Sequence, residues 1–330
     1  MTITRLLLVL LVLALPSALL GACGSGDDDG TAGGPSATPT RPTGPGPIER
    51  DEANAKVSLT IGSKNFTEQR VLGEIFAQGL RAAGYRVRTK LDLGDERAAL
   101  RAVKSGAIDA YPEYTGTALL SFFGKRPEEL PKDPTDAYEQ AKQGFAEKGL
   151  VAFPPTPFTS SNEIAVTKET AKRLELQKIS DLKGQERELT LAGSPECRER
   201  LDCLRGLEQV YKLRFGRFTP VPIPDRHDVL TAGHADVSVV FTTDPQIQRE
   251  SEVLLQDDRS MFPPYNSSLV MRRGAAKKAG PALEATLKLI QARLTDENMQ
   301  ELNARVDLDG QEPAAVAEAY LVENGLLPAG

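Results

Sequence analysis

The chain has 330 residues and a formal net charge of -6, with 46 acidic and 40 basic residues. An acidic balance gives no attraction to a phosphate backbone, so nucleic acid is not expected as a partner. Two histidines and three cysteines supply few metal ligands and few groups for a catalytic triad. We therefore expect no metal site and no catalyst built on a thiol or an imidazole.

Residues 1–22 have the pattern of a signal peptide. Arg5 precedes an apolar run over 6–15 that is too short to cross a membrane. Leucine, glycine and alanine then lead to Cys23, and this order of one aliphatic and two small residues before a cysteine resembles the lipobox of bacterial lipoproteins. The pattern predicts export and a lipid anchor on Cys23, at the outer face of the cytoplasmic membrane. An ordinary secretory signal beside an unrelated cysteine is the alternative.

Residues 23–55 are predicted to form a tether between the lipidated Cys23 and a folded domain. The segment is rich in glycine, proline and threonine up to about Pro47. Such a composition cannot bury enough apolar surface to fold, so we expect the tether to be disordered.

The two remaining cysteines, Cys197 and Cys203, are close in sequence and would lie in an oxidising compartment after export. We expect them to close a small loop as a disulfide. A zinc site is the alternative, but it would need further ligands, and His227 and His234 are the two histidines of the chain.

From Lys56 onward, short apolar runs alternate with amphipathic helices. The pattern predicts strands over 57–61, 85–91 and 107–111 and a helix over 95–105. A further helix opens at Asn65, where Glu68 completes a capping box, and ends at Gly84. This order is typical of a mostly parallel sheet.

A second region repeats the pattern. It predicts strands near 163–167, 189–192, 218–221 and 236–241, and helices over 198–211 and from residue 225, and the C-terminal part is predicted to be helical over 275–294, 296–305 and 313–324. We therefore predict an α/β fold with two lobes, 56–156 and 157–258, with 259–330 returning to the first lobe and adding closing helices.

One spacing occurs in both lobes. Gly106 lies eight residues before Tyr114, and Gly233 lies eight residues before Phe241, each glycine following a predicted helix. Ligands of open α/β sheets bind outside the carboxyl ends of the strands, so the two aromatic residues are candidates to face each other across a cleft. Packing alone could also produce the same spacing.

Several motifs together resemble the substrate-binding proteins of osmoprotectant ABC importers, which carry glycine betaine, choline and related quaternary amines. The motifs are IGSKNFTEQ at 61–69, LGE at 72–74, DAYPEYTGT at 109–117, FTTDP at 241–245 and FPPYN at 262–266. The resemblance covers nearly everything from Lys56 onward. It implies a two-lobe, periplasmic-binding-protein-like fold of type II, a ligand in the interlobe cleft, and a monomer that delivers its solute to an ABC permease and its ATPase subunit. A binding protein of this kind is expected to have no cofactor, no catalytic residues and no enzyme activity.

The resemblance also implies roles for particular residues. Tyr114, Phe241 and Tyr265 are the candidates for an aromatic cage, because a quaternary ammonium makes no hydrogen bonds and is selected by ring faces. Lys64 and Thr117 are the candidate contacts of a carboxylate, and Arg198 or Arg200 would add a contact from the second lobe. The other candidate ligand-binding residues lie in or beside the same motifs: Asn65, Phe66, Tyr111, Thr115, Asn162, Glu163, Thr242, Thr243, Asp244 and Asn266.

The sequence leaves other interpretations open. Lys64 could be a solvated turn residue, Tyr111 could simply pack, and Glu113 could either touch a ligand's cation or pair with a lysine. Many relatives have a tyrosine in the strand that opens the second lobe, where this chain has Ser161-Asn162-Glu163, and betaine binders often have tyrosine where it has Phe241. The same fold could therefore bind a different small solute, amino-acid-like or aromatic. An exported hydrolase using Glu113 with Asp244 is a third possibility, although the chain has no G-x-S-x-G motif.

Overall fold

The computed structural model describes residues 46–328. The predicted signal peptide, the lipid anchor at Cys23 and residues 23–45 of the tether lie outside this range. Within it, no helix combines the length and the apolar character needed to cross a membrane.

The strands of the described range are short. They are β1 (Ser58–Gly62), β2 (Arg86–Lys90), β3 (Ala110–Tyr114), β4 (Leu150–Ala152), β5 (Asn162–Val166), β6 (Thr190–Gly193), β7 (Arg217–Pro220), β8 (Val237–Phe241), β9 (Val253–Leu255) and β10 (Ser267–Arg272).

The helices vary more in length. They are α1 (Thr67–Ala82), α2 (Glu96–Ser105), α3 (Thr115–Thr117), α4 (Pro134–Glu147), α5 (Lys168–Arg173), α6 (Leu204–Gly206), α7 (Arg226–Thr231), α8 (Gln246–Arg249), α9 (Arg273–Ala279), α10 (Ala282–Gln291), α11 (Asp296–Asp307) and α12 (Pro313–Glu323).

The strands form two five-stranded sheets with the same plan. The first has the order β2-β1-β3-β10-β4 and the second β7-β6-β8-β5-β9. In each sheet four strands run in the same direction, while β10 or β5 runs antiparallel to both of its neighbours. The predicted α/β fold with two lobes is therefore confirmed.

Two chain segments connect the sheets. The chain leaves the first sheet after Ala152 and enters the second at Asn162, and it returns between β9 and β10. An antiparallel bridge between Thr159 and Asn266 joins these two segments side by side. The predicted lobe bounds at 156 and 258 fall within the connecting segments and stay predictions.

The glycine spacing has the same local structure in both lobes. Gly106 and Gly233 each end a helix with a positive φ, 82° and 72°. Three residues later an aspartate side chain accepts a hydrogen bond from a neighbouring parallel strand: Asp109 from Thr60 N–H at 2.8 Å, and Asp236 from Thr190 N–H at 2.9 Å. The turn therefore fixes how β3 and β8 start, and each strand then ends on its aromatic residue.

Some predicted bounds are wrong, each for a local reason. β3 begins at Ala110 rather than 107, because the N–H groups of residues 107 and 108 donate back to Ala102 at the end of α2. The helix predicted over 275–294 is divided at Gly280, which has a φ of 83°, and is followed by a proline. The predicted capping box at Asn65 is absent: Phe66 is the N-cap of α1, without a side-chain bond. Glu68 instead turns into the protein interior.

The chain is also ordered earlier than the predicted end of the tether at residue 55. Ile48 is buried and its N–H donates to the carbonyl of Leu326, and a 3-10 helix covers Glu52–Lys56. An isolated apolar residue after the glycine- and proline-rich run is enough to extend the first lobe's core. The sequence interpretation also assigned no element to β4, β9, β10, α4 or α5.

Cys197 and Cys203 form the expected disulfide, with their Cα atoms 5.1 Å apart. The zinc alternative is wrong because the two sulfurs are bonded to each other. The closed loop also explains why the helix predicted over 198–211 is absent before Leu204, where α6 begins and a π-helical segment follows.

Glu163, on the second sheet, makes a contribution to the free energy of unfolding that depends on pH. It lies on β5 beside Asn162, and burial raises its pKa to about 7, with the nearby charge of Asp257 adding to the shift. An acid with a raised pKa keeps its proton in the folded chain at pH values where the unfolded chain has lost it. Its contribution to the free energy of unfolding therefore falls as pH rises from about 4.5 to about 7.

We predict that Glu163→Gln raises the free energy of unfolding at pH 8 and that this gain shrinks at pH 5, because glutamine mimics the protonated acid. Urea denaturation at both pH values measures the effect. The exposed Glu318→Gln on α12 is the matched control and should show no such dependence. An equal change at both pH values for Glu163→Gln would contradict the assignment.

Candidate ligand-binding site

A cavity of about 70 Å³ lies between the two lobes. A single water needs only ~10–15 Å³ on this scale, so the cavity has room for a small solute. It is lined by Lys64, Asn65, Phe66, Asp95, Glu96, Tyr114, Thr117, Ser160, Asn162, Ser194, Glu196, Arg200, Cys203, Ile223, Arg226, Val239, Phe241 and Tyr265. Both lobes contribute, so the site is complete only when they are together.

Aromatic rings form one wall of the cavity. Phe66 lies between the other two rings, with its centroid 6.3 Å from that of Tyr114 and 5.5 Å from that of Phe241. Tyr265 also lines the cavity, and its ring edge comes so close to Gly116 that a Cβ there would lie 2.8 Å from it. Pro263 and the carbonyl oxygen of Pro264 would lie as close, at 2.8 and 2.9 Å, so the glycine of the YTGT string is required by the close approach of the FPPYN segment.

Lys64 follows β1 and its ammonium lies on the aromatic wall. Its Nζ is 4.5 Å from the ring centroid of Tyr114 and 5.8 Å from that of Phe66, which are cation–π distances. The same Nζ lies 2.5 Å from Oε1 of Glu113. Glu113 is buried and also accepts the Tyr114 N–H at 2.8 Å. The Lys64 charge is therefore already neutralised inside the protein, and the solvated-turn alternative is wrong.

Arg226 has the corresponding position in the second lobe. Its guanidinium carbon lies 3.7 Å from the ring centroid of Phe241, and its Nη2 donates to Asp244. Asp244 also accepts the backbone N–H of Phe241 at 2.7 Å and binds Nε2 of His227 at 3.0 Å. Burial would raise the pKa of Asp244, but the Arg226 charge holds it below its usual value.

Arg200 is the third cation of the wall and lies in the disulfide-closed loop. Its guanidinium donates twice to Asp202, at 2.8 and 2.5 Å, and lies 3.3 Å from Glu96 of the first lobe. Asp202 accepts the hydroxyl of Tyr265 at 2.6 Å, while its carbonyl accepts Asn162 Nδ2 at 2.9 Å. The loop thus connects both lobes at the cavity.

Carboxylates outnumber cations around the cavity. Each of the three cations, Lys64, Arg200 and Arg226, has its own buried carboxylate partner. Three further acids line the wall: Asp95, Glu96 and Glu196. The surplus is negative, and a cation in the cavity would be stabilised by it.

Glu68 is a buried acid that sequence reasoning assigned to a helix cap. It accepts the Tyr114 hydroxyl at 2.6 Å and Asn303 Nδ2 at 3.1 Å. Burial raises its pKa, against hydrogen bonds from Thr243, Tyr114 and Asn303. Glu68 therefore fixes the outer end of the Tyr114 ring.

About half of the candidate residues line the cavity and the others do not. Those that line it are Lys64, Asn65, Phe66, Tyr114, Thr117, Asn162, Arg200, Phe241 and Tyr265. Those outside its lining are Tyr111, Thr115, Glu163, Arg198, Thr242, Thr243, Asp244 and Asn266.

The residues outside the lining have structural contacts instead. Arg198 is exposed and stacks 4.7 Å from the Phe218 ring, and Tyr111 is fully buried in the first lobe. The remaining polar groups mostly hold the segments that connect the sheets: Thr115 bonds Pro264, Thr242 bonds Thr159, Thr243 bonds Ser160, and Asn266 bonds Thr156 and Phe158. Glu163 lies on the opposite face of β5 from Asn162, because side chains alternate along a strand.

Sequence reasoning missed several lining residues. Asp95 and Glu96 follow β2, and Ser194 and Glu196 follow β6, so the carboxyl ends of these parallel strands were the available signal. Arg226 carried no signal, because it lies at the start of a short helix and no motif marks it.

Comparison with known proteins agrees with this geometry. Residues 57–323 match the family model of the substrate binding domain of ABC-type glycine betaine transport system. The glycine-betaine-binding protein of Pseudomonas aeruginosa is 35% identical over 285 residues, which cover 83% of this chain and 90% of that protein. The carnitine transport binding protein OpuCC of Listeria monocytogenes is 30% identical over 275 residues, covering 82% and 88%.

Solved structures show the same architecture. A glycine betaine/carnitine/choline ABC transporter structure superposes with a TM-score of 0.64 at 27% identity, covering 81% of this chain and 99% of that chain. Ligand-free YehZ of Escherichia coli superposes with a TM-score of 0.58 at 27% identity, covering 82% and 99%. These superpositions confirm the two-lobe, type II fold. The chain belongs to the family of extracytoplasmic substrate-binding domains of ABC-type glycine betaine transport systems.

Proposed function

We propose that the chain captures a small quaternary amine, such as choline or glycine betaine, in the interlobe cavity and delivers it to an ABC permease and its ATPase subunit. The observation that carries this proposal is the combination of an aromatic wall with a surplus of carboxylates. A trimethylammonium group makes no hydrogen bonds, so ring faces and nearby negative charge are the groups that favour it. The names of the two curated relatives support the same solute class.

The polar end of the solute has a smaller set of partners. Of the residues expected to meet a carboxylate, Thr117, Lys64 and Arg200 line the cavity. The ammonium of Lys64 is bound to Glu113, and the guanidinium of Arg200 is bound to Asp202 and Glu96. We therefore assign the hydroxyl or carboxylate end of the solute to the side of Thr117.

The two acids of the hydrolase alternative both have partners among the described residues. Glu113 is paired with Lys64 and Asp244 with Arg226, so the two acids of the hydrolase alternative are committed to cations. His227 bonds Asp244 and Glu252 through its two ring nitrogens. Burial would lower the pKa of His227, but the hydrogen bonds of its ring nitrogens to Asp244 and Glu252 raise it. A monomeric binding protein without enzyme activity fits these contacts.

The aromatic wall gives a direct test. Phe66→Leu keeps the apolar bulk but removes a ring face, so we predict that choline affinity falls roughly 2- to 30-fold, the range of one cation–π contact. Isothermal titration calorimetry measures it. Phe145→Leu, in the core of the first lobe and outside the cavity lining, is the matched control and should lose stability but not affinity. Equal affinity losses in both variants would contradict the proposed role of Phe66.

The anchoring proposal rests on the lipobox-like sequence before Cys23. We predict that Cys23→Ser abolishes incorporation of a labelled fatty acid and releases the protein from the membrane fraction of a bacterial host, because serine lacks the thiol that accepts the diacylglyceryl group. Cys197→Ser/Cys203→Ser is the control and should stay labelled. Labelling of the Cys23→Ser protein would refute the anchor.

A further inference from the structure

We infer that Glu113 sets the solute preference of this site, by compensating the charge of the Lys64 ammonium on the aromatic wall so that a solute's carboxylate gains little from it. The consequence is a site that favours a net cation over a zwitterion. This inference rests on the proposed function, because it concerns which quaternary amine the cavity takes.

The Lys64–Glu113 ion pair is buried and has a fixed geometry. Lys64 and Glu113 are 4% and 1% exposed, so neither charge is stabilised by water. One oxygen of Glu113 binds both the Lys64 ammonium, at 2.5 Å, and the Tyr114 N–H, at 2.8 Å. Two donors on one buried oxygen fix the lysine in place, and the ammonium has a ring face 4.5 Å away as a third contact.

Displacing Lys64 from Glu113 is costly, because removing one partner of a buried ion pair leaves an uncompensated buried charge. The ammonium has further N–H groups that can face other acceptors, but a solute's carboxylate would meet a cation whose charge Glu113 already compensates. Glu113 sits at the end of β3 and Lys64 just after β1, so neither backbone can follow a displaced side chain without disturbing the sheet. The pair therefore stays together when the solute binds.

A solute in the cavity then meets negative charge from the first lobe. With Lys64 neutralised, the first lobe's share of the lining presents the carboxylates of Asp95 and Glu96. Glu96 is shared with Arg200, whose other contacts go to Asp202. A second carboxylate, on the solute, would be repelled by this surplus, whereas a hydroxyl would not be.

The test compares choline and glycine betaine, which share the trimethylammonium group and differ in a hydroxyl or a carboxylate end. Calorimetry gives the betaine-to-choline affinity ratio for the wild type, for Glu113→Gln, and for Lys64→Met/Glu113→Gln. We expect the wild type to favour choline. Glu113→Gln frees the ammonium, so the ratio should rise at least about tenfold, which corresponds to one good charge-assisted contact.

The double variant keeps the inference testable if Glu113→Gln does not fold, because it replaces the ion pair with two neutral side chains of similar shape. Its ratio should stay within about threefold of the wild type, since Glu113 already compensates the Lys64 charge in the wild type. A tenfold fall in the double variant would show that Lys64 attracts the carboxylate in spite of Glu113, and would overturn the inference. Glu318→Gln is the surface control.

Different outcomes would overturn the role of Glu113 and the proposed function. Binding of both solutes by the wild type with no rise of the ratio in folded Glu113→Gln would overturn the role of Glu113 alone. A wild type that favours glycine betaine would do the same. A wild type that binds neither solute would overturn the proposed function and this inference with it.

Discussion

The compensation of three cations at the cavity, of which Lys64 and Arg226 are buried and Arg200 is partly buried, is the constraint on which the site depends. A buried charge without a partner is strongly destabilising, so each cation requires a carboxylate at a fixed place. Each of these carboxylates also holds one aromatic residue of the cavity through a hydrogen bond: Lys64–Glu113 holds Tyr114, Arg200–Asp202 holds Tyr265, and Arg226–Asp244 holds Phe241. The ion pairs that neutralise the cations therefore also position the rings that would select a solute, and the remaining wall acids leave the cavity negative.

The arrangement is distributed over two lobes of the same plan. Tyr114 ends β3 and Phe241 ends β8, the equivalent strands of the two sheets. In both lobes a helix-ending glycine and an aspartate bonded to the adjacent strand precede the aromatic strand. Each lobe thus brings a ring, an acid and a cation to the cleft, and the Arg200–Glu96 contact joins the lobes beside them. Neither lobe alone encloses a solute.

The sequence predicted the fold class, most elements and the disulfide, because hydrophobic periodicity and glycine stops are local signals. It placed Tyr114 and Phe241 at one cavity, because their spacing repeats. It could not place Arg226 there, since a long side chain at a helix start can reach many neighbours. The partner of Lys64 was also left open. Its pairing with Glu113 requires β1 and β3 to lie side by side, which depends on the tertiary structure. Motif membership also failed for Asp244, which contacts Arg226 behind the Phe241 ring instead of lining the main cavity.

We propose that the cavity selects its solute by the positive charge of an apolar group. The most direct measurement compares, by calorimetric titration of the wild type, choline with 3,3-dimethyl-1-butanol, in which a neutral carbon replaces the quaternary nitrogen at nearly the same shape. Rings and carboxylates stabilise the cation but gain little from the neutral group. We expect choline to bind at least about tenfold more tightly than the neutral alcohol, which is a difference of about 1.4 kcal/mol in the free energy of binding. Equal affinities for the two molecules would contradict it, because shape and apolar contact alone would then explain binding.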